Sequence, residues 1–106
     1  MSGRLTTHVL DTAAGRPAAG IPVTVHRDGE LVAEAVTDAD GRTGPLVEGD
    51  AFRAGVYELT FAVRAHFGGA GFLDRVPVRF TVSAPGEHHH VPLLVSPFAY
   101  STYRGS

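Results

Sequence analysis

Apolar and polar residues alternate with a period of two through most of this chain, the spacing of a strand with one dry face and one wet face. In residues 56–63, Tyr57, Leu59, Phe61 and Val63 fall on one side and Glu58, Thr60 and Ala62 on the other. Residues 76–82 repeat the pattern, with Val76, Val78, Phe80 and Val82 against Pro77, Arg79 and Thr81. Pro77 marks the start of a strand or a sheet edge, since proline cannot donate to a central ladder. Residues 5–10 and 21–26 also read as strands. The Asp28-Gly29 turn joins 21–26 to a further strand over 31–37 as a hairpin. A turn cluster over 38–45 leads to a short edge strand at 46–47. Residues 64–72 lack the alternation and hold at most a single helical turn, because Gly68, Gly69 and Gly71 oppose a longer one. Short strands at this spacing, almost without helical periodicity, predict an all-β protein built as an antiparallel β-sandwich.

The last part of the chain packs polar chemistry most densely against strand-like sequence. A strand over 88–95 places His88, His90, Pro92 and Leu94 on one face and His89, Val91, Leu93 and Val95 on the other. A turn through Ser96-Pro97 leads to a strand over 99–105, with Ser101 and Tyr103 on one face and Thr102 and Arg104 on the other. Residues 5–10 put Thr6, His8 and Leu10 together. A face that mixes imidazoles with Leu10, Pro92 and Leu94 suits a binding groove or a subunit interface.

Composition narrows the chemistry. The 106 residues make one domain, 1–106, without room for a large cofactor fold. A formal charge of −2, with no basic run, leaves no footprint for nucleic acid. The absence of cysteine removes disulfides, thiolate-bound zinc and a catalytic thiol, and fits a reducing compartment. No secretory signal and no membrane-length apolar run is visible, so the cytoplasm is the expected location.

His26 and His66 have no partner at ligand or triad spacing and are expected to be ordinary surface or turn residues. The run His88-His89-His90 does not make a metal site by spacing, because alternation turns His89 away and no carboxylate completes the set. Asp38-Ala39-Asp40-Gly41 lacks the further oxygen ligands of a calcium loop and reads as a tight turn. No Gly-x-Ser-x-Gly elbow activates Ser101 or Ser106. The groups that remain are His8, Arg42, His90, Tyr103 and Arg104, with His88 and Ser106 as further candidates. An imidazole accepts a proton near neutral pH, and a neighbouring arginine keeps it in its basic form. The planar guanidinium suits paired carbonyl oxygens and the negative charge that builds when water adds to one. Together these groups suit hydrolysis of a reactive, flat, polar molecule.

Four elements carry a resemblance. They are Thr7-His8-Val9-Leu10-Asp11, Asp40-Gly41-Arg42, His88-x-His90-Val91-Pro92-Leu93-Leu94-x-Ser96-Pro97 and the terminal Tyr103-Arg104-Gly105-Ser106. Across its whole length the chain resembles the transthyretin-like 5-hydroxyisourate hydrolases. The resemblance implies two four-stranded sheets with a short helix at about 65–70, and a homotetramer with active sites at the dimer–dimer interface. It further implies cofactor-free hydrolysis of 5-hydroxyisourate to 2-oxo-4-hydroxy-4-carboxy-5-ureidoimidazoline in urate degradation. By position, His8, Arg42 and His90 match the catalytic trio, leaving open which histidine is the base. Substrate contacts fall to His8, Arg42, Tyr103, Arg104 and Ser106. His89 stands where an aromatic or aliphatic residue is usual. A second resemblance, of residues 15–25 and 36–42 to adhesive sandwich modules with a Gly-x-Pro and Thr-Asp-x-x-Gly framework, implies a non-catalytic binding or scaffolding domain. That alternative needs neither the histidines nor the terminal tetrapeptide. Carriage of a hormone or other small molecule is disfavoured by the polarity that His8, Arg42 and His90 give the pocket.

Overall fold

The computed structural model describes residues 3–105. Nine strands follow in order: β1 (Arg4–Asp11), β2 (Arg16–Pro17), β3 (Pro22–Arg27), β4 (Glu30–Val36), β5 (Val47–Glu48), β6 (Gly55–Ala62), β7 (Arg75–Val82), β8 (His88–Val95) and β9 (Tyr100–Thr102). They form two sheets. One runs β2-β1-β8-β9, with β5 also on β1, and the other runs β4-β3-β6-β7. Their inner faces meet over Leu5, Val9, Ile21, Leu59, Phe61, Val76 and Leu93, all fully buried. The sandwich expected from the alternation is the one formed.

The β3–β4 hairpin turns through Asp28 and Gly29, at φ +51° and +87°, with Arg27 opposite Glu30. That is the two-residue turn whose twist matches the strands it joins. Pro77 lies within β7, which pairs only with β6 and so leaves the proline on an edge. The side chain of His89 is buried, as the alternation requires, at 5% exposure. Its ring meets Phe52 edge-on at 5.4 Å, and its Nδ1 lies 3.0 Å from the carbonyl of Glu87 and donates to it. Tyr57, also buried, donates its hydroxyl to the Arg53 carbonyl at 2.7 Å.

Three features differ from the sequence expectations. First, β1 and β8 run parallel over eight residue pairs, in an otherwise antiparallel sandwich. Parallel neighbours need a long connection, and here the whole second sheet lies between them in sequence. Second, residues 64–69 form hydrogen-bonded turns where a short helix at about 65–70 was expected. A single α-type bond from the Phe67 N–H to the Val63 carbonyl forms, and then Gly68 and Gly69 turn left-handed at φ +74° and +77°. Among the described residues the helix is a three-residue 3-10 turn, Gly49–Ala51. Third, His66 has a partner. Its Nε2 lies 2.7 Å from Asp11 Oδ2, clasping the turn segment to the end of β1. Sequence spacing could not reveal this pair, because the two residues meet only through the fold.

Asp11 Oδ1 also accepts the N–H groups of Ala13 and Ala14, each at 2.9 Å. Burial by itself would raise this carboxyl, but the His66 contact and the two backbone bonds overcome it and hold the group below its ordinary 3.8. Stability from the carboxylate is therefore present above the unfolded-state value and lost as pH falls through the lower folded-state value. Asp11→Asn should cost about 2 kcal/mol near neutral pH. In urea melts the gap from wild type should narrow as pH falls through the lowered folded-state value, whereas a gap that stayed constant would contradict this account.

Candidate active site

The parallel register gathers the polar face. Thr6 stands opposite His90 and His8 opposite Pro92, so Arg4, Thr6, His8 and Leu10 of β1 share a surface with His88, His90, Pro92 and Leu94 of β8. The far edge of β1 is covered in three pieces. β5 pairs with Arg4 and Leu5, β2 pairs with Leu10 and Asp11, and between them Arg42 bridges to His8.

A tight turn delivers Arg42 to that gap. Asp38 Oδ1 accepts the N–H of Asp40 at 2.9 Å and of Arg42 at 3.1 Å, while the Gly41 carbonyl accepts the N–H of Val9 at 2.8 Å. Gly41 is left-handed at φ +76°. A Cβ there would collide with the Val9 carbonyl oxygen and press within 3.3 Å of the His8 ring. Glycine is thus required on two counts. The Asp-x-Asp-Gly run is a turn, as expected, and its product is the placement of Arg42 beside His8.

A groove of about 390 Å³ opens on this face, lined by Arg4, Thr6, Arg42, Pro45, His88 and His90 among others. Its size suits a small molecule. Its described lining carries two guanidiniums and two imidazoles without a carboxylate, so it favours electron-rich, oxygen-bearing ligands. The hydroxyl of Thr6 sits between the two rings, 2.8 Å from His90 Nδ1 and 2.7 Å from His88 Nε2. The rings stand with centroids 6.0 Å apart.

His90 is half-buried and is held below its ordinary value, first by burial and then by the charges of Arg42, His88 and His8. His88 is lowered as well, by partial loss of water and then by Arg4 and His89. Both act in the same direction. A neutral imidazole with a free nitrogen, next to a fixed cation, can take a proton from water while the cation faces developing negative charge.

The structure therefore brings His8, Arg42 and His90 together, although His8 sits beside the groove without lining it. Tyr103 and Arg104 are placed elsewhere. β9 stops at Thr102, so the alternation that would turn Tyr103 to the histidine face ends one residue early. Tyr103 instead lines a second crevice, of about 350 Å³, with Val78, Phe80, His89 and Val91 between the sheets. Arg104 is exposed and donates to Glu87 Oε1 at 3.0 Å and to the His88 carbonyl at 3.3 Å. Ser106 lies outside the described residues.

Three contributors were missed. Arg4 and Thr6 line the groove, and the Gly105 N–H donates to the His90 carbonyl at 2.7 Å. A Cβ on Gly105 would stand 2.7 Å from His90 Cδ2, so the terminal glycine lets the backbone lie against the ring. Alternation along β1 already grouped Thr6 with His8, whereas Gly105 is marked only as part of the terminal tetrapeptide and no spacing sets it against His90.

In an NMR titration, the His90 ring should protonate with a midpoint below 6.5. Arg42→Gln should move that midpoint upward, since a positive neighbour is removed. A midpoint at or above the ordinary value, unmoved by the substitution, would refute the electrostatic account.

The family model described as "HIUase/Transthyretin family" matches residues 5–105. The chain is 50% identical to 5-hydroxyisourate hydrolase 2 of Rhizobium meliloti over 117 aligned positions, covering 99% of this chain and 98% of that protein. Among solved structures, Klebsiella pneumoniae 5-hydroxyisourate hydrolase superposes with a TM-score of 0.88 at 36% identity, covering 98% of this chain and 99% of that one. The structure of (S)-allantoin synthase superposes at 0.91 with 46% identity, covering 99% of this chain but only 44% of the longer chain. With a family match across nearly its full length, the chain belongs to the HIUase/Transthyretin family.

Proposed function

We propose that this protein is a 5-hydroxyisourate hydrolase of urate degradation, converting its substrate to 2-oxo-4-hydroxy-4-carboxy-5-ureidoimidazoline. The observation that carries this reading is His90, its imidazole held below its ordinary value, in a groove it shares with the guanidiniums of Arg42 and Arg4. Relatives that the chain matches over almost its entire length bear that name. Adhesive modules of similar fold have no use for such a groove.

The residues divide the reaction between them. His90 takes a proton from water as the water oxygen bonds to a ring carbonyl carbon. Arg42 opposes the negative charge that gathers on the carbonyl oxygen. The ring C–N bond then breaks, and the proton held by His90 passes to the departing nitrogen. His8 orients the ring from the adjacent strand. The terminal residues Tyr103, Arg104 and Ser106 are assigned to substrate contact in the assembled protein, where the inter-sheet crevice and the groove are no longer bounded by one chain. No step in this scheme calls for a cofactor.

The assembly is a homotetramer with its sites at the dimer–dimer interface. Support comes from the histidine face itself, which carries Leu10 and Leu94, both only half-buried, beside the polar groups. Closed symmetric assembly is the usual way to cover such a face. The cytoplasm is the proposed location, in keeping with the absence of cysteine. Among the described residues no helix is long and apolar enough to cross a membrane.

The direct test is to generate 5-hydroxyisourate with a urate oxidase and follow its ultraviolet decay. The protein should accelerate the decay, and His90→Asn should slow turnover by about 10² to 10⁴ while the fold is kept. Unchanged turnover in that variant would remove His90 from the mechanism, and no acceleration by wild type would leave a non-catalytic module. Light scattering should give a tetramer mass. A monomer that keeps full activity on dilution would refute the shared site.

A further inference from the structure

The Thr6 hydroxyl has no part in the scheme above, yet among the described residues it is the group that joins the two groove imidazoles. It lies 2.8 Å from His90 Nδ1 and 2.7 Å from His88 Nε2. A hydroxyl has one proton to donate and lone pairs to accept with. With no other acceptor for its proton among the described residues, between two neutral imidazoles it donates to one ring and accepts from the other. Two arrangements satisfy this. In the first, His90 donates its Nδ1–H to Thr6, and Thr6 donates to His88 Nε2, so that His90 Nε2 carries a bare lone pair. In the second every direction is reversed, and His90 Nε2 carries a hydrogen and cannot act as a base.

Position favours the first arrangement. With Nδ1 occupied by Thr6, Nε2 is the His90 nitrogen left to meet the groove. Arg42, a fixed cation, acts on this ring and lines the same groove. A cation on the groove side favours a lone pair over a hydrogen at the nitrogen that faces the groove. His88 is exposed, so its own Nδ1–H can be satisfied by water while its Nε2 accepts from Thr6.

We propose that Thr6 is a positioning residue for the hydrolysis, holding His90 in the Nδ1–H tautomer with Nε2 ready to accept the proton of water, and that His88 fixes the direction of the hydroxyl. This assigns Thr6 and His88 a joint task. Which nitrogen of a histidine is available is set by the hydrogen bond the other one makes. The catalytic consequence rests on the hydrolase reading above, but the tautomer belongs to the resting protein and can be observed without substrate.

The experiment combines ring ¹⁵N chemical shifts of the full chain with turnover of wild type, Thr6→Val and Thr6→Ser. Valine keeps the branched shape that suits a strand and removes the hydroxyl, while serine keeps the hydroxyl. Wild-type His90 should show a protonated Nδ1 and an unprotonated Nε2, and Thr6→Val should shift the ring toward Nε2–H. Turnover of Thr6→Val should fall about tenfold, less than the loss expected for removing the base itself. KM should stay within about twofold, because the ring is misprotonated in that variant but the groove is intact. Thr6→Ser should restore both the tautomer and the rate. An active wild type with His90 protonated at Nε2, or a Thr6→Val protein with unchanged tautomer and kcat, overturns the inference and leaves the hydrolase reading untouched. A wild type that shows the Nδ1–H tautomer but no hydrolysis overturns the hydrolase reading, and with it the catalytic consequence, while the structural assignment of Thr6 stands.

Discussion

The parallel pairing of β1 with β8 is the contact on which the rest of the site depends. Residues 82 to 84 positions apart in the chain become neighbours only through this ladder, and its register decides which of them meet. Because side chains alternate, a slip of one residue would turn every member of one strand to the opposite face. His89 would then enter the groove, and His88 and His90 would be forced into the core. The buried Val91, Leu93 and Val95 resist such a slip of β8, since all three would have to move into water. Packing on one side of the sheet thus guarantees chemistry on the other.

Charge on the open side works against compactness. Arg4 and Arg42 are drawn together with His88 and His90 on one groove, and both imidazoles are lowered by partial burial and by their charged neighbours. A neutral imidazole beside a cation is also what proton abstraction from water requires. Electrostatic cost and catalytic competence therefore have the same origin. The arginine remains charged because its guanidinium does not deprotonate at any pH the protein meets.

Much of this was legible in the residues. Period-two alternation located β1, β3, β6, β7 and β8, and it separated His89 from its two neighbours correctly. Asp28-Gly29 marked its hairpin, and Asp38 to Gly41 marked a turn, because both rely on local backbone chemistry. The His66–Asp11 clasp, the bond from Gly105 to His90 and the bridging position of Thr6 were not legible, since each needs two distant segments to be placed in space first. Tyr103 was misplaced for a related reason. The continuous ladder with β8 breaks after Thr102 and returns only as the single bridge of Gly105 to His90, so strand alternation does not govern Tyr103.

The covering of β1 has a consequence for how the molecule opens. This strand has β8 along one side and, along the other, β5, the Gly41–Arg42 turn and β2 in succession, with its end clasped to His66. Its amide hydrogens thus have little opportunity to exchange through local fraying and should be released only in the largest unfolding events. The edges β4 and β9 can breathe without disturbing the imidazoles. Function and global cooperativity reside in the same strand, so the site is lost last, and when it is lost the whole sheet goes with it.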